Sequence, residues 1–206
     1  MHFKNRQQAG QKLAEKLAKF KNLEVVIYAL PRGGVILGLE VAKFLSAPLD
    51  LLLPRKIGHQ YSPEYALCAI CESGVIICNE GDLKEVDQVW FEKEKAKQIG
   101  EAKRRRQKYL AGRRPIDVKN KIAIIVDDGI ATGLTMRAAI ADLKNRGPSQ
   151  IVVAVPVSPR DTTNIIKREV DEFIALDVPL IYLGGVGAYY GEFPQVEDEE
   201  VVAMMR

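Results

Sequence analysis

The chain is poor in the features that mark secreted, membrane-spanning or disulfide-built proteins. It has three cysteines in 206 residues, a small and odd number that argues against a disulfide framework. No apolar run approaches the roughly 20 residues needed to cross a bilayer. The opening residues, Met1-His2-Phe3-Lys4-Asn5-Arg6, are polar at once and lack the apolar core of a secretory leader. The two histidines, His2 and His59, offer no nucleophile–base pair with a nearby serine or cysteine, so no hydrolase triad is read. Neither G-x-G-x-x-G nor G-x-x-x-x-G-K-[ST] occurs, which weakens a reading as one of the common nucleotide-binding folds. A soluble protein of the reducing cytoplasm is the expectation.

What is present is ordinary in bulk and uneven in detail. Hydrophobic residues make up 47% and charged residues 28% of the chain, the range of a globular protein, and the length suits one domain. Thirty basic against 27 acidic side chains leave a net charge of +3, too little to imply a nucleic-acid partner. Bases dominate between Glu92 and Arg114, and the stretch from Glu192 to Glu200 is acidic. The run Lys103-Arg104-Arg105-Arg106 spreads around a helix rather than forming one basic stripe, so a solvated face, or contact with a partner subunit's acidic tail, is expected there.

Apolar periodicity alternates between strand and helix. Helices are expected over Gln8–Phe20, Val35–Ser46, Leu83–Leu110 (with a possible break at Gly100), Leu134–Arg146 and about Arg160–Glu169. Short β-branched runs at Glu24–Leu30, Leu49–Leu53, Lys121–Val126, Ile151–Val155 and Glu172–Leu176 are expected to be buried parallel strands. Arg55–Tyr65 is polar, carries Gly58 and Pro63, and is expected to be a loop. Ala66–Cys71 and Val75–Cys78 suggest a hairpin. The fold class is therefore α/β: an open, mainly parallel twisted sheet flanked by helices, with a small hairpin flap at about 55–80 and an irregular C-terminal part from Pro179 to 206, all in one domain. Cys68, Cys71, Cys78 and His59 could be imagined around zinc, but strand residues three apart face opposite ways, and thiols packed as small hydrophobes are the better account.

The most informative stretch is Ala123-Ile124-Ile125-Val126-Asp127-Asp128-Gly129-Ile130-Ala131-Thr132-Gly133-Leu134-Thr135. A buried strand delivers two adjacent carboxylates to its carboxyl end, the edge where open α/β sheets bind ligands. A loop of small and hydroxylic residues then opens into a helix, and backbone N–H groups there favour an anion. Acids beside an anion site make sense if the ligand carries both a phosphate and a diol. The competing reading, that the acids merely cap a helix, needs one acid rather than two and leaves Thr132-Gly133-Leu134-Thr135 unexplained.

This stretch resembles the signature of the type I phosphoribosyltransferases. The resemblance implies that Asp127 and Asp128 contact the ribose of 5-phosphoribosyl diphosphate, and that Gly129, Ala131, Thr132, Gly133 and Thr135 hold its 5-phosphate. Pro31-Arg32-Gly33-Gly34 looks like the family's diphosphate loop, which casts Arg32 and Gly33 as diphosphate ligands. Arg55 and Lys56 fall where the family has a mobile flap. Tyr189, with Tyr190 and Phe193, falls in its acceptor-covering hood, where packing against the sheet is an equal alternative to stacking on a base. Ser158 and Arg160 fall near the acceptor pocket. Ala131 departs from the 6-oxopurine members, which carry an acid there. The flap and hood segments further resemble a poorly characterised subgroup of the family. Mg2+ as cofactor, with no direct protein ligand assigned, and a homodimer are likewise implied, and so is an activity: transfer of phosphoribose to a nitrogen nucleophile with release of diphosphate. The alternative is a non-catalytic regulator that senses the sugar diphosphate and binds RNA, DNA or a protein.

Overall fold

A computed structural model describes the backbone of residues 1–206 and all side chains except those of Glu80, Lys84 and Glu85. Five parallel strands, β1 (Val25–Ala29), β2 (Leu49–Leu51), β6 (Ile122–Val126), β7 (Gln150–Val157) and β8 (Glu172–Asp177), form the main sheet in the order β2-β1-β6-β7-β8. Alternate residues point to opposite faces. Val25 and Ile27 of β1 and Ile124 and Val126 of β6 therefore meet α1 (Arg6–Lys16) and α2 (Gly34–Leu45) through Leu13, Leu17, Leu37 and Val41. Val26, Tyr28, Ala123 and Ile125 meet α4 (Leu134–Lys144) and α5 (Arg160–Ile166) through Met136, Ile140, Leu143 and Ile166. Burial on both faces explains why these strands read as continuous apolar runs.

Strand order reverses at β1, whose chain successor β2 lies on one side and whose other neighbour is β6. Ala29 pairs with Val126 in the parallel register, so the loops after β1 and β6 leave the sheet at the same height. That crevice is the switch point at which such sheets bind ligands.

A second, antiparallel sheet holds β3 (Arg55–His59), β4 (Ser62–Ile70) and β5 (Ile76–Cys78). The expected loop at Arg55–Tyr65 is corrected: it forms β3, a tight turn and the start of β4. Its register slips on either side of Gly58, and a Cβ at Gly58 would overlap the Pro63 carbonyl. Glycine at an irregular pairing and proline near a turn read as loop signals, although both are at home in an exposed hairpin. The small sheet packs on α4 through Ala69, Cys71, Leu134 and Ala138, and on α3 (Gln88–Leu110) through Ile57, Leu67 and Phe91.

Three further readings change. Cys68 and Cys78 are joined in a disulfide, in place of the free thiols expected from the sequence. The β4–β5 register sets them directly opposite, a relation fixed by the turn between the strands and invisible in cysteine spacing. Cys71 does pack as a buried free thiol, and burial pushes its pKa up to about 12. The helix α3 is unbroken at Gly100, with ion pairs such as Arg105–Glu101 beside it, and the stretch before it, Glu80–Glu85, is a 3-10 turn. The C-terminal part is not irregular throughout. Residues 198–204 form α6, opened by a capping box between Glu197 and Glu200, and Val201 is buried in a cluster with Val35, Leu53 and Tyr109. Glutamate is an uncommon N-cap, which hid this helix.

The basic run divides: Lys103 and Arg104 are exposed, as a solvated face requires, while Arg104 and Arg105 pair with Glu101, and Arg106 with Asp50 and Glu72. The acidic tail meets Lys108 and Arg32 of the same chain. Among the described residues no helix is long and apolar enough to cross a membrane.

Candidate active site

The site grows from the carboxyl ends of β6 and β1. Beyond Val126 the chain turns so that Asp128 N–H donates to Asp127 Oδ1 at 2.8 Å. The two carboxylates face the Pro31–Gly34 loop. A Cβ on Gly34 would stand 2.9 Å from Asp127 Oδ1, and one on Gly33 would overlap Asp128 Oδ2. The glycines of that loop are therefore required by the acids across from them. The Pro31–Arg32 peptide is cis.

On the other side of Asp127 lies a cleft of about 190 Å3, lined by Gly129, Ala131, Thr132, Gly133 and Thr135, with Lys56 and Val186. Thr162 Oγ1 donates to Ala131 O at 2.9 Å and Ile130 N–H to Val157 O at 2.9 Å, which fixes the loop. Gly133 has φ +82°, a conformation that favours glycine, and a Cβ there would lie 2.6 Å from Thr162 Cγ2. Among the described residues no protein acceptor takes the N–H groups of Ala131, Thr132 or Gly133. Free amides, two threonine hydroxyls and the start of α4 give this cleft the donor set that suits an anion.

The acids are electrostatically unequal. Burial, then the neighbouring Asp128 charge, pushes the Asp127 carboxyl well above the ordinary carboxylate range. Burial raises Asp128 too, but Arg6 opposes the shift. Arg6 Nε donates to Asp128 Oδ2 at 2.8 Å, Arg6 Nη1 donates to Pro194 O at 2.6 Å, and the guanidinium lies 3.6 Å from the centre of the Phe193 ring. Tyr190 Oη donates to Asp128 O at 2.6 Å.

The structure thus gathers Asp127, Gly129, Ala131, Thr132, Gly133, Thr135 and Lys56 around one cleft, with Asp128 and Gly33 against its acidic side. Arg32 belongs to the Pro31–Gly34 loop, but its side chain turns to Glu197 and Asp198, at 3.2 and 3.7 Å. Arg55 does not line the cleft: its Nε donates to Gln98 Oε1 at 3.2 Å, on α3. Tyr189 is packed inside the hood, stacked on Tyr182 and taking the Leu183 N–H on its hydroxyl; the packing alternative describes it in this structure. Ser158 is buried and accepts from the Thr163 hydroxyl, and Arg160 is exposed at the start of α5. Arg6 was not singled out from the sequence, and Gly34 was named only within the Pro31–Gly34 loop. A cation in the first turn of a helix, against the helix dipole, was the available signal for Arg6.

The fold is an open parallel α/β sheet with paired carboxylates and an amide-lined loop at its switch point. Residues 4–181 match the family model described as phosphoribosyl transferase domain, and the chain belongs to that family. Two Mycobacterium tuberculosis proteins, from strains CDC 1551 and H37Rv and each provisionally named a phosphoribosyl transferase, are 40% identical over 205 residues. The match takes in 98% of this chain and 46% of each of theirs, so the chain spans about half the length of these relatives. The crystal structure of TT1426 from Thermus thermophilus is 39% identical with a TM-score of 0.83, covering 100% of this chain and 98% of that one.

Proposed function

We propose that the protein transfers phosphoribose from 5-phosphoribosyl diphosphate to a nitrogen nucleophile and releases diphosphate. The observation that carries this reading is the juxtaposition of Asp127 with the Ala131–Thr135 anion cleft. Such a pairing suits a ligand with a diol and a phosphate on one sugar.

In this reading the 5-phosphate sits on the amides of Ala131, Thr132 and Gly133 and on the hydroxyls of Thr132 and Thr135, a handle remote from the reacting carbon that fixes orientation. Asp127 and Asp128 take hydrogen bonds from the ribose hydroxyls. As the bond from the anomeric carbon to the diphosphate oxygen lengthens, positive charge grows on the ribose, and fixed carboxylates stabilise it. The diphosphate leaves past Gly33 and Gly34, beside Arg32 of the same loop, and Lys56 supplies a cation from β3. The hairpin β3–β4, whose Lys56 lines the cleft, would shield it from water.

Mg2+ belongs to the substrate in this account, as the salt of the sugar diphosphate. Asp127 and Asp128 offer hard oxygens of the kind that ion prefers, but Asp128 Oδ2 is committed to Arg6, and no protein ligand is assigned. The ion would neutralise charge on the leaving diphosphate.

The test is calorimetric titration with magnesium 5-phosphoribosyl diphosphate, followed by a screen of nitrogen acceptors read by diphosphate release. Binding is expected, and Asp128→Asn should weaken it by about tenfold or more, the worth of a charge-assisted hydrogen bond. Thr132→Val should weaken it more than Lys56→Ala does. Unchanged affinity in Asp128→Asn, or the reverse order of the other two, would count against these roles.

A further inference from the structure

Arg6 stands out because nothing local favours it where it is. It opens α1, whose first turn contains no acid, so its charge opposes the helix dipole. It is also 7% exposed, and burying a cation is costly without a partner. A local conflict of this kind persists where the surrounding structure, or function, requires it.

The surroundings are specific. Phe3 pairs with Tyr190 in a short parallel bridge, with Phe3 N–H to Tyr189 O and Gly191 N–H to Phe3 O both at 2.8 Å. Asn5 then caps α1 by accepting the Gln8 N–H at 3.0 Å. These contacts hold Arg6 between the hood, through Phe193 and Pro194, and the carboxylate of Asp128. A Cβ on Gly33 would also stand 2.8 Å from Arg6 Nε. Among the described residues Arg6 is the one side chain that donates to the Asp128 carboxylate, and it takes Oδ2 alone.

We propose that Arg6 is a positioning residue for the transfer reaction, holding the Asp128 carboxyl fixed through Oδ2 so that its other oxygen receives a ribose hydroxyl. The proposal rests on the phosphoribosyl reading of the cleft. It also resolves an electrostatic difficulty: two carboxylates beside a polyanionic ligand would repel it, and the guanidinium offsets one of them without entering the ligand's space. The planar face of arginine on Phe193 fixes the fork in one orientation, a role that lysine fills only in part.

The experiment is a double-mutant cycle on binding of magnesium 5-phosphoribosyl diphosphate by the full chain, with thermal melting as the check on folding. Arg6→Met keeps much of the bulk on Phe193 and removes the charge. It should weaken binding by about tenfold or more, Arg6→Lys should recover part of that loss, and in an Asp128→Asn background Arg6→Met should cost less than about threefold, because the two act as one unit. Equal losses in both backgrounds would overturn the proposal, since a merely structural arginine acts whether or not residue 128 is charged. So would tighter binding by Arg6→Met, which would mean the arginine withholds the acid. If Arg6→Met does not fold, Arg6→Lys decides between these outcomes in the same two backgrounds. Absence of binding by the unaltered protein would instead refute the function proposed above.

Discussion

Asp127→Asn is expected to make the ligand-free protein more stable while lowering phosphoribosyl transfer by about 100- to 1000-fold. The folded-state pKa of this carboxyl is raised, by burial first and by Asp128 second, so the folded protein holds its proton more tightly than the unfolded chain does. Below the ordinary aspartate range, around pH 3.9, both states are protonated and the residue has no effect. As the pH rises through that range the unfolded chain ionises first, and stability falls until the pH passes the raised folded value, beyond which the full penalty applies. Asparagine keeps the Oδ1 that accepts the Asp128 N–H and does not ionise. The melting-temperature difference between variant and parent should therefore grow with pH, by about 2–4 °C for each kcal/mol relieved in a chain of this size. Melting curves between pH 4 and 9 check this; a difference that is flat with pH, or an asparagine variant less stable at pH 8, would contradict it. A destabilising acid kept at a ligand site exemplifies the trade of stability for activity.

Gly33→Ala should abolish tight binding of the sugar diphosphate, with an affinity loss of about 100-fold and a stability loss on the order of 1–3 kcal/mol. Gly33 has φ −59° and ψ −38°, a conformation open to any residue, so backbone freedom does not explain the glycine. Space does: a Cβ would overlap Asp128 Oδ2. That oxygen is pinned by Arg6 at 2.8 Å, and its displacement would strand a mostly buried arginine. Gly74→Ala is the control: Gly74 lies in the β4–β5 turn with open space around it, and its φ of +90° predicts a backbone-strain cost of more than about 1 kcal/mol without any loss of affinity. Affinity loss of equal size in both variants would point to general destabilisation.

Much of this architecture was legible because one physical signal dominated each part. The five core strands are covered on both faces, so apolar runs marked them, and the Asp127–Thr135 stretch announces itself through an acid pair beside small residues. Legibility failed where the determining relation was between distant residues. Nothing local in Arg55–Tyr65 says that it pairs with itself across an irregular register, and the partner of Cys68 depends on how the Glu72–Gly74 turn aligns two strands. Arg6 is 122 residues from Asp128 in the chain, and the Phe3–Tyr190 bridge together with the packing of α1 on the sheet brings it there. Tyr189 fits both a stacking and a packing pattern in sequence; its hydroxyl's contact with Leu183 N–H separates them in space.

The level pairing of Ala29 with Val126 also limits how this protein can vary. Removing one residue inside 122–126 would exchange the two faces of that strand and draw the acids back by about 3.3 Å, while the Pro31–Gly34 turn stayed where it was. Two segments nearly a hundred positions apart are thus yoked like the jaws of a vice. Length changes are tolerable in the turns around them, but in neither arm alone.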